Sequence, residues 1–362
     1  MNLKDIAELA GVSTATVSRV INGSGPVSKA TARRVLRIIE EHGYVPDTIA
    51  KSLRMGQTKT IGFVVPDISN PFFPEVLNGA EAVCADYGYN IILGNTNEDI
   101  DTESKVVRNL RQQRADGVLM ILVDESGSTL RSGLAGASPN LPIVFIDRHI
   151  AGFRYDSVII DNEGGTAQAT EYLIELGHTK IAIIHGPTNT TPGGRRLYGY
   201  RKAMRAAGVA IRSEYVVEGD FRTKSGYELT RALMEIPDPP TAIIGGNNLM
   251  TIGAFQCLAD MGIRVPHDVS LIGFDDFTLA GNLSPAITVV DRPMADMGRI
   301  AAELLLSRIE KRDESATRQV VLPTRLKIRD SCRRLAYRPT TIATEVRYCG
   351  AKKDQGTSAK TY

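Results

Sequence analysis

The first apolar residues of the chain recur at the spacing of an α-helix. They are Leu3, Ile6, Ala7, Leu9 and Ala10. Gly11 then interrupts the pattern with the backbone freedom that suits a helix end, and Ser13 offers a side-chain oxygen to cap a following helix. The spacing predicts a second helix over about 14–21 and a third over about 29–42, which Ser28 would cap. Two short helices joined by a tight glycine turn and braced by a third predict a helix-turn-helix.

The second helix of a helix-turn-helix enters the major groove of DNA, and its early residues face base edges. The side chains that we expect to read bases are Thr14, Ala15 and Arg19. Arg19 can fork onto O6 and N7 of guanine, a contact worth about 1–3 kcal/mol of discrimination. The side chains that we expect to contact phosphates are Thr16, Ser18 and Asn22. A three-helix bundle that binds a protein would keep the same core without needing Arg19.

A short segment with a lone leucine follows the predicted helices. Leu53 is flanked by Lys51 and Arg54, in a stretch too short to be stable as an isolated helix in water. One interpretation is a linker over 47–60 that becomes helical only on DNA, where its leucine opens a base step in the minor groove. The alternative is a plain linker between domains.

From residue 61 onward, short β-branched runs alternate with helical stretches. The predicted strands cover about 61–65, 90–93, 117–122, 143–146, 157–160, 180–184, 216–217, 242–244 and 269–272. The predicted helices lie near 73–88, 102–114, 163–176, 194–207, 224–235 and 249–261. This alternation predicts an α/β core of doubly wound parallel sheets, and so many elements indicate two lobes with a cleft between them.

Polar and aromatic residues collect just after the predicted strands, where ligands of such sheets bind. Amide, carboxylate and guanidinium groups suit hydrogen bonding to neighbouring hydroxyls, and a phenylalanine face suits the C–H face of a sugar ring. The pattern therefore predicts a small polyol or sugar in the cleft. Stacking of a purine or nucleoside on the same phenylalanines is the alternative.

Charge is distributed unevenly along the 362 residues. Residues 1–60 hold nine Lys/Arg and five Asp/Glu, and residues 333–362 hold seven and two, whereas the stretch between them is acidic. A basic head on an acidic body favours a polyanion-binding module attached to a unit with another task. The last 30 residues have little apolar periodicity, so we expect a basic, disordered tail over 333–362.

The remaining composition excludes several classes of protein. No apolar run is long enough to span a bilayer, and the first residues lack the apolar core of a signal peptide, so we expect a cytoplasmic protein with no membrane partner. The four cysteines lie far apart, which gives no metal site. The phosphate-loop, dinucleotide, nucleophile-elbow and zinc-helix motifs are absent from the sequence, so we expect neither catalysis nor a cofactor.

The head resembles the N-terminal module of the lactose-repressor (LacI/GalR) family of bacterial transcription regulators. The residues that carry the resemblance are Leu3-Lys4-Asp5-Ile6-Ala7, Ala10-Gly11-Val12-Ser13, Thr16-Val17-Ser18-Arg19-Val20, Gly43-Tyr44-Val45-Pro46 and Ala50-Lys51-Ser52-Leu53. The resemblance implies a homodimer whose two heads, each over residues 1–46, read a pseudo-palindromic operator in double-stranded DNA. It also makes 47–60 the hinge, with Leu53 as the minor-groove wedge and Lys51 beside it.

The resemblance extends over the body to about Asp330 and implies the fold of periplasmic sugar-binding proteins. The positions that match ring-stacking and hydroxyl-binding residues of pentose-binding members are Asn70, Phe72, Phe73, Asn97, Asp147, Arg148, Arg196, Phe221, Asn247 and Asp275. Asp291 stands where those members commonly carry Gln, and Asn248 where the family often has Asp. The implied core spans 61–332, with an N-lobe of about 61–161 and 291–320 and a C-lobe of about 162–290 and 321–332.

The sequence thus predicts a cytoplasmic, dimeric transcription repressor whose operator affinity is controlled by a small carbohydrate, such as a ribose-like sugar, bound between the lobes. Arg195 beside Arg196 adds a positive charge, which leaves a sugar acid or sugar phosphate as a further alternative to the purine. Whether the effector releases the protein from DNA or recruits it, and whether dimers pair into tetramers, stays open.

Overall fold

The computed structural model describes residues 2–44, 57–128, 130, 141–150, 155–277, 280–311 and 316–335. Most of the predicted hinge, with Lys51 and Leu53, lies outside these residues, as does 336–362 of the predicted tail. Within the described part of the chain, no helix is both long enough and apolar enough to cross a membrane.

The head is the predicted bundle of three helices. They are α1 (Leu3–Leu9), α2 (Thr14–Asn22) and α3 (Lys29–Glu41). Both predicted caps are confirmed, because the Ser13 side chain accepts from the backbone N–H of Thr16 and that of Ser28 accepts from Thr31. The buried centre is formed by small and β-branched side chains from all three helices, namely Ile6, Ala7, Ala10, Val17, Val35 and Ile38.

The described residues of the core form twelve strands. In chain order they are β1 (Thr60–Val65), β2 (Asn90–Asn95), β3 (Gly117–Met120), β4 (Ile143–Ile146), β5 (Asp156–Ile160), β6 (Ile181–His185), β7 (Val216–Glu218), β8 (Ala242–Gly245), β9 (Ser270–Phe274), β10 (Thr288–Asp291), β11 (Gln319–Leu322) and β12 (Arg325–Lys327). The core helices are α4 (Phe72–Asp86), α5 (Ile100–Gln112), α6 (Asn162–Glu175), α7 (Thr191–Ala206), α8 (Thr223–Glu235), α9 (Asn248–Asp260) and α10 (Met294–Lys311). Strands β1, β3, β4, β6, β8 and β9 are almost wholly buried, as expected when helices cover both faces of a parallel sheet.

The strands form two six-stranded sheets with the same plan. The N-lobe sheet has the order β11-β5-β4-β3-β1-β2, and the C-lobe sheet has the order β12-β10-β9-β8-β6-β7. Every neighbouring pair is parallel except β10 and β12. Strand for strand, β1 to β5 therefore correspond to β6 to β10, and the two-lobed doubly wound fold is confirmed.

The chain crosses between the sheets three times, after β5, after β10 and after β11. The boundaries differ slightly from those predicted: Asp291 still belongs to the C-lobe strand β10, and the N-lobe strand β11 runs on to Leu322. Residues 333–335, which the charge pattern assigned to the tail, are bound to the C-lobe, since Leu335 N–H donates to Leu176 O at 2.8 Å. The tail prediction is wrong for these three residues, because backbone hydrogen bonds outweigh their basic composition.

Two helices of the N-lobe pack with their backbones in contact. A β-carbon added at Gly79 in α4 would lie 2.0 Å from Ala295 O, and one at Gly298 in α10 would lie 1.8 Å from Val76 O. Only glycine permits so close an approach. The contact fastens α10, which follows the second crossing, to α4, whose first residues border the cleft.

Candidate functional site

The exposed face of α2 carries the residues that we expect to read bases. Thr14, Ala15 and Arg19 are exposed, whereas Val17 is fully buried and Val20 packs against the bundle core. The aliphatic part of Arg19 runs beside Gly25, whose added β-carbon would be 3.6 Å from Arg19 Cδ. The loop after α2 therefore supports the base of this side chain and leaves its guanidinium free to reach outward.

The three predicted phosphate contacts are tied to the ends of α2. Thr16 Oγ1 lies 2.9 Å from Ser13 Oγ at the helix start. At the helix end, Asn22 Nδ2 donates to Ser18 O at 2.8 Å and lies 3.3 Å from Ser18 Oγ. The local bonds fix where these polar groups stand on the surface. Lys51 and Leu53 lie outside the described residues.

The cleft between the lobes holds a cavity of about 40 Å³. Its lining comes from strand ends of both lobes: Asp67, Asn70, Phe73, Glu98, Asp147, Arg148, Pro192, Arg196, Asp220, Phe221, Arg222, Asn247, Asp275 and Arg292. The predicted site residues among them are Asn70, Phe73, Asp147, Arg148, Arg196, Phe221, Asn247 and Asp275. The structure therefore brings eight of the eleven predicted effector residues to one cavity.

Three predicted residues do not line it. Phe72 is buried behind the cavity wall. The Arg292 guanidinium stacks on its ring, with Cζ 3.6 Å from the ring centroid. Asn97 is exposed, and its side chain accepts from Asn95. Asp291 points to the outside, where its carboxylate lies 3.1 Å from the exposed Arg325.

Sequence reasoning missed Arg292 and placed its role one residue earlier, on Asp291. Successive side chains of an extended chain point to opposite faces. An assignment that is wrong by one residue therefore selects a side chain that points to solvent and not into the cavity. Alternation in β10 does not mark Arg292, because Thr288, Val289 and Val290 are all buried and only Asp291 is half-buried. Glu98 was missed as well, and like its neighbour Asn97 it lies in a turn with left-handed backbone.

On the N-lobe side, Arg148 is held from two directions. Its Nη1 and Nη2 donate to the two carboxylate oxygens of Glu98 at 3.0 and 2.8 Å, and Nη1 also donates to Leu122 O at 2.8 Å. Burial alone lowers the pKa of Arg148, but the bonds and charge of Glu98 outweigh it and raise that pKa above its ordinary value. The guanidinium is thus permanently charged and fixed in orientation.

Arg292 lies between two carboxylates. Its Nη1 donates to Asp147 Oδ1 at 2.5 Å, and its Nε lies 2.6 Å from Asp275 Oδ1. The second contact is an ion pair in which the Nε–H does not point at the oxygen. Neither oxygen of Asp275 therefore has a hydrogen-bond donor among the described residues.

Arg196 forms the C-lobe wall. Its Nε donates to Asn162 Oδ1 at 2.8 Å and its Nη1 to Gly246 O at 2.5 Å, while the guanidinium lies 3.6 Å from the centroid of the Phe274 ring. Burial lowers the pKa of Arg196 to about 10, so the group stays charged at neutral pH. Its Nη2 has no acceptor within the described part of the chain, and the same is true of Arg148 Nε.

Two further contacts join the lobes at the edge of the cavity. Asn248 Nδ2 donates to Asn70 Oδ1 at 2.8 Å. Glu125 accepts from Thr191 N at 2.6 Å and from Thr191 Oγ1, at the first residue of α7. The lobes therefore meet through side chains on both sides of the cavity.

The cavity can bind a polar molecule but offers nothing to a metal ion. A search of the described residues finds no group of three His, Cys, Asp or Glu side chains that could hold one. The buried donors and acceptors left without partners are what a ligand with hydroxyl groups would complete, because leaving them unpaired is costly.

Comparison with known proteins agrees with both parts of the molecule. Residues 2–47 match the family described as bacterial regulatory proteins, lacI family, and residues 170–332 match the periplasmic binding protein-like domain. The chain is 40% identical over 309 residues to the ribose operon repressor of Escherichia coli K12, covering 85% of this chain and 92% of that protein. It is 38% identical over 321 residues to the HTH-type transcriptional repressor PurR of Proteus mirabilis, covering 88% and 93%.

Among solved structures, the chain resembles the lac repressor dimer bound to operator and the anti-inducer ONPF. The TM-score is 0.81 at 26% sequence identity, over 92% of this chain and 99% of that one. An N-terminal helix-turn-helix followed by a two-lobed binding-protein core is the arrangement that these matches share. The chain belongs to the lacI family of bacterial regulatory proteins.

Proposed function

We propose that this protein is a transcription repressor whose affinity for operator DNA is controlled by a neutral sugar, with ribose or a similar pentose as the first candidate. The observation that carries the sugar is the set of unpartnered atoms in the cavity. Arg196 Nη2 and Arg148 Nε are donors, and the two oxygens of Asp275 are acceptors. Sugar hydroxyls both donate and accept, so one small polyol can satisfy all of them.

The charges that line the cavity favour a neutral effector. Arg148 is paired with Glu98, and Arg292 with Asp147 and Asp275. The whole lining holds five carboxylates and four guanidinium groups, so no positive charge is left over for an acid or a phosphate. Arg195, the reason for considering such ligands, is 65% exposed and lies toward Glu163, outside the cavity.

Aromatic rings support the same assignment. Phe73 and Phe221 line the cavity and can cover the C–H face of a sugar ring. They can also stack a purine, and PurR is among the similar proteins. The choice of a sugar rests on the carboxylate and guanidinium groups, which outnumber the rings, and on the similarity to a ribose operon repressor.

Calorimetric titration of the full-length protein tests the effector. We expect heat of binding with D-ribose or another neutral pentose, and little with ribose 5-phosphate or a pentonic acid. Hypoxanthine and guanine form the second arm. Binding of a purine without any sugar would overturn the sugar assignment and leave the repressor assignment standing.

For the DNA side we propose that α2 reads bases with Thr14, Ala15 and Arg19, while Thr16, Ser18 and Asn22 set the register on phosphates. The hinge around Leu53 and Lys51 completes the interface in this proposal. The carrying observation is the exposed polar face of α2 opposite the buried Val17. A protein that binds operator DNA would act in the cytoplasm.

Fluorescence anisotropy on a duplex selected by the protein from a random pool tests this interface. We expect Arg19→Ala to weaken binding to that duplex about tenfold or more and to relax the preference at one guanine. The matched control is Arg37→Ala on α3, which removes an equally exposed arginine paired with Glu41. Equal losses in both variants would mean that Arg19 supplies charge and no base reading. Addition of D-ribose should change the affinity by linkage.

We further propose that two copies associate through the edge of the N-lobe. Strand β2 is the last strand of its sheet, and large apolar side chains are exposed on and beside it, namely Tyr87, Ile92, Leu93 and Ile100. Such a cluster is typical of a protein interface, and the lac repressor in the matching structure is a dimer. Light scattering should give twice the chain mass, and Leu93→Lys should lower it; an unchanged mass would place the interface elsewhere.

A further inference from the structure

The two aspartates of the cavity occupy equivalent places in the two lobes. Asp147 is the first residue after β4, and Asp275 is the first residue after the corresponding strand β9. Both have a left-handed backbone, with φ of 62° and 71°. Each N–H donates at 2.9 Å to the next strand, to Val158 O and Val290 O respectively. Left-handed backbone is uncommon outside glycine, and aspartate tolerates it better than most residues. Both lobes thus turn a carboxylate into the cleft by the same backbone geometry.

Arg292 contacts both of these carboxylates. Its nitrogens lie 2.5 Å from Asp147 Oδ1 and 2.6 Å from Asp275 Oδ1. All three side chains are more than nine-tenths buried, with 3%, 8% and 1% of their surface exposed. The Phe72 ring, with its centroid 3.6 Å from the guanidinium carbon, supports the group from behind. One planar cation on a segment that crosses between the lobes therefore joins one anion from each lobe.

Burial makes this pair of contacts sensitive to the loss of the cation. Salt and water screen a buried ion pair far less than an exposed one. Without Arg292, no cation would contact both Asp147 and Asp275, and the two like charges would face the same space with only the more distant charges of Arg148 and Arg196 to offset them, which disfavours their approach. The lobes would then gain by moving apart.

The other contacts between the lobes at the cavity are of a different kind. The bond from Asn248 to Asn70 joins two neutral amides. The bonds from Thr191 to Glu125 lie toward the more accessible edge, where both residues are only half-buried. Among these contacts of the described residues, only the one at Arg292 sets a buried charge against charges of both lobes.

We propose that Arg292 is a positioning residue that holds the two lobes together before any effector binds, by pairing with Asp147 and Asp275 at once. The inference rests on the proposed effector cavity but not on the identity of the effector. An effector then meets two lobes that are already joined at Arg292. Its affinity is not reduced by a population of separated lobes, as it would be if binding had to select a rare closed state.

The distance between the lobes tests the proposal. Spin labels are placed at Ser126→Cys in the N-lobe and Asn189→Cys in the C-lobe, two exposed positions that flank the cavity edge, with Cys332 and Cys349 replaced by Ser. Pulsed electron paramagnetic resonance is recorded on the full-length protein without DNA. With Arg292 present and no ligand, we expect one short distance. Arg292→Gln should shift the distribution to longer and broader distances.

Two variants separate positioning from general damage to the fold. Arg292→Lys keeps a cation in the same place and should restore most of the short distance, although it lacks the fork that reaches both carboxylates. Asn248→Ala removes a neutral contact between the lobes and should leave the distance unchanged. If Arg292→Gln does not fold, Asp147→Asn removes the N-lobe charge with the arginine in place and should shift the distance in the same direction.

Either of two results overturns the proposal: a long distance in the labelled protein with Arg292 intact and no ligand, or a short distance in Arg292→Gln under the same conditions. A protein that fails to bind ribose contradicts the proposed effector instead. The measurement without ligand still decides the role of Arg292 in that case.

Discussion

The two lobes share one plan of strands, yet they present different walls to the cavity. On the N-lobe side, Arg148 is held by Glu98 and Leu122, and Asp147 accepts from Arg292. On the C-lobe side, both oxygens of Asp275 and the Nη2 of Arg196 have no hydrogen-bond partner among the described residues. The N-lobe wall is nearly complete by itself, with Arg148 Nε as its exception. On the C-lobe wall three atoms lack a hydrogen bond, although Asp275 Oδ1 keeps its ion pair with Arg292.

This difference indicates where the free energy of effector binding comes from. A polar group that is already paired gains little from a ligand, while a buried group without a partner gains a whole hydrogen bond, and more when it is charged. We therefore expect the C-lobe to provide most of the affinity, and the N-lobe to fix the orientation and the closed geometry.

The largest effect should come from Arg196→Met. The change removes the charged donor of the C-lobe wall, and we expect the affinity for the effector, measured by calorimetry, to fall about a hundredfold or more. Arg195→Met is the matched control, because Arg195 is exposed and outside the cavity, and it should change affinity less than twofold. A similar loss in both variants would mean that positive charge near α7, and not the unpartnered Nη2, attracts the ligand.

The lobes should also differ in their response to acid. His178 is buried in the C-lobe between Thr241, Ser270 and the carbonyl of Arg333, and burial lowers its pKa to about 4. Its unfolded pKa is near 6.5, so its contribution to stability is complete above about pH 6.5 and is lost as the pH falls toward 4. Between pH 7.5 and pH 5 we expect the C-lobe to lose about 2 kcal/mol of stability.

Hydrogen exchange at the two pH values checks this expectation, after correction for the intrinsic rates. Peptides from β6 and β9 should lose protection more than peptides from β1 and β3 of the N-lobe. His178→Gln, which keeps hydrogen-bonding groups and cannot titrate, should reduce the difference between the lobes. Equal loss of protection in both lobes would remove His178 as the cause.

Asp275→Asn should have a smaller effect than Arg196→Met. The amide keeps one acceptor but loses the charge that strengthens bonds from hydroxyl groups, so we expect about a tenfold loss of effector affinity. Asp276→Asn is the control at the next position, where the carboxylate pairs with Lys327 and Arg329 away from the cavity. Calorimetry with the same sugar should find the control unchanged; a loss there would point to an indirect effect on the fold.

The smallest effect should follow from Glu98→Gln on the N-lobe side. Arg148 would lose its bidentate partner but keep the bond to Leu122 O, and we expect effector affinity to fall about threefold. Glu81→Gln, an exposed change on α4, is the control. A loss as large as that of Arg196→Met would contradict the division of roles between the two walls.

The sequence predicts the head and most of the core because the pattern that marks each helix or strand lies within that element and its neighbours in the chain. The caps at Ser13 and Ser28 and the β-branched run of β1 depend on neighbours in the chain, and they were predicted within one or two residues. The end of the core, from β10 through α10 to β12, was not predicted from the residues. Strand β11 pairs with β5 far earlier in the chain, with Gln319 opposite Ser157, and a local pattern does not contain that information.

The site was predicted as a group of strand ends and refined only by geometry. Eight of the eleven predicted residues line one cavity, since the carboxyl ends of parallel strands meet at one edge. Arg292 was missed because it pairs with two aspartates that no local pattern connects. Asp147 lies more than one hundred residues earlier in the chain, and Asp275 follows the strand before β10. Which atoms lack partners can be known only from packed coordinates.

The backbone contact between α4 and α10 at Gly79 and Gly298 determines which parts can move as a unit. Helices α4 and α10 cannot slide or tilt freely where their backbones are in contact, so the segment just after Arg292 moves with the N-lobe. Any rotation of one lobe against the other must then be absorbed by the few residues between β10 and α10 and by the other two crossings. One of the three crossings consequently lies beside Arg292, so a change in the pairing of this arginine acts directly on a segment that must bend when the lobes rotate.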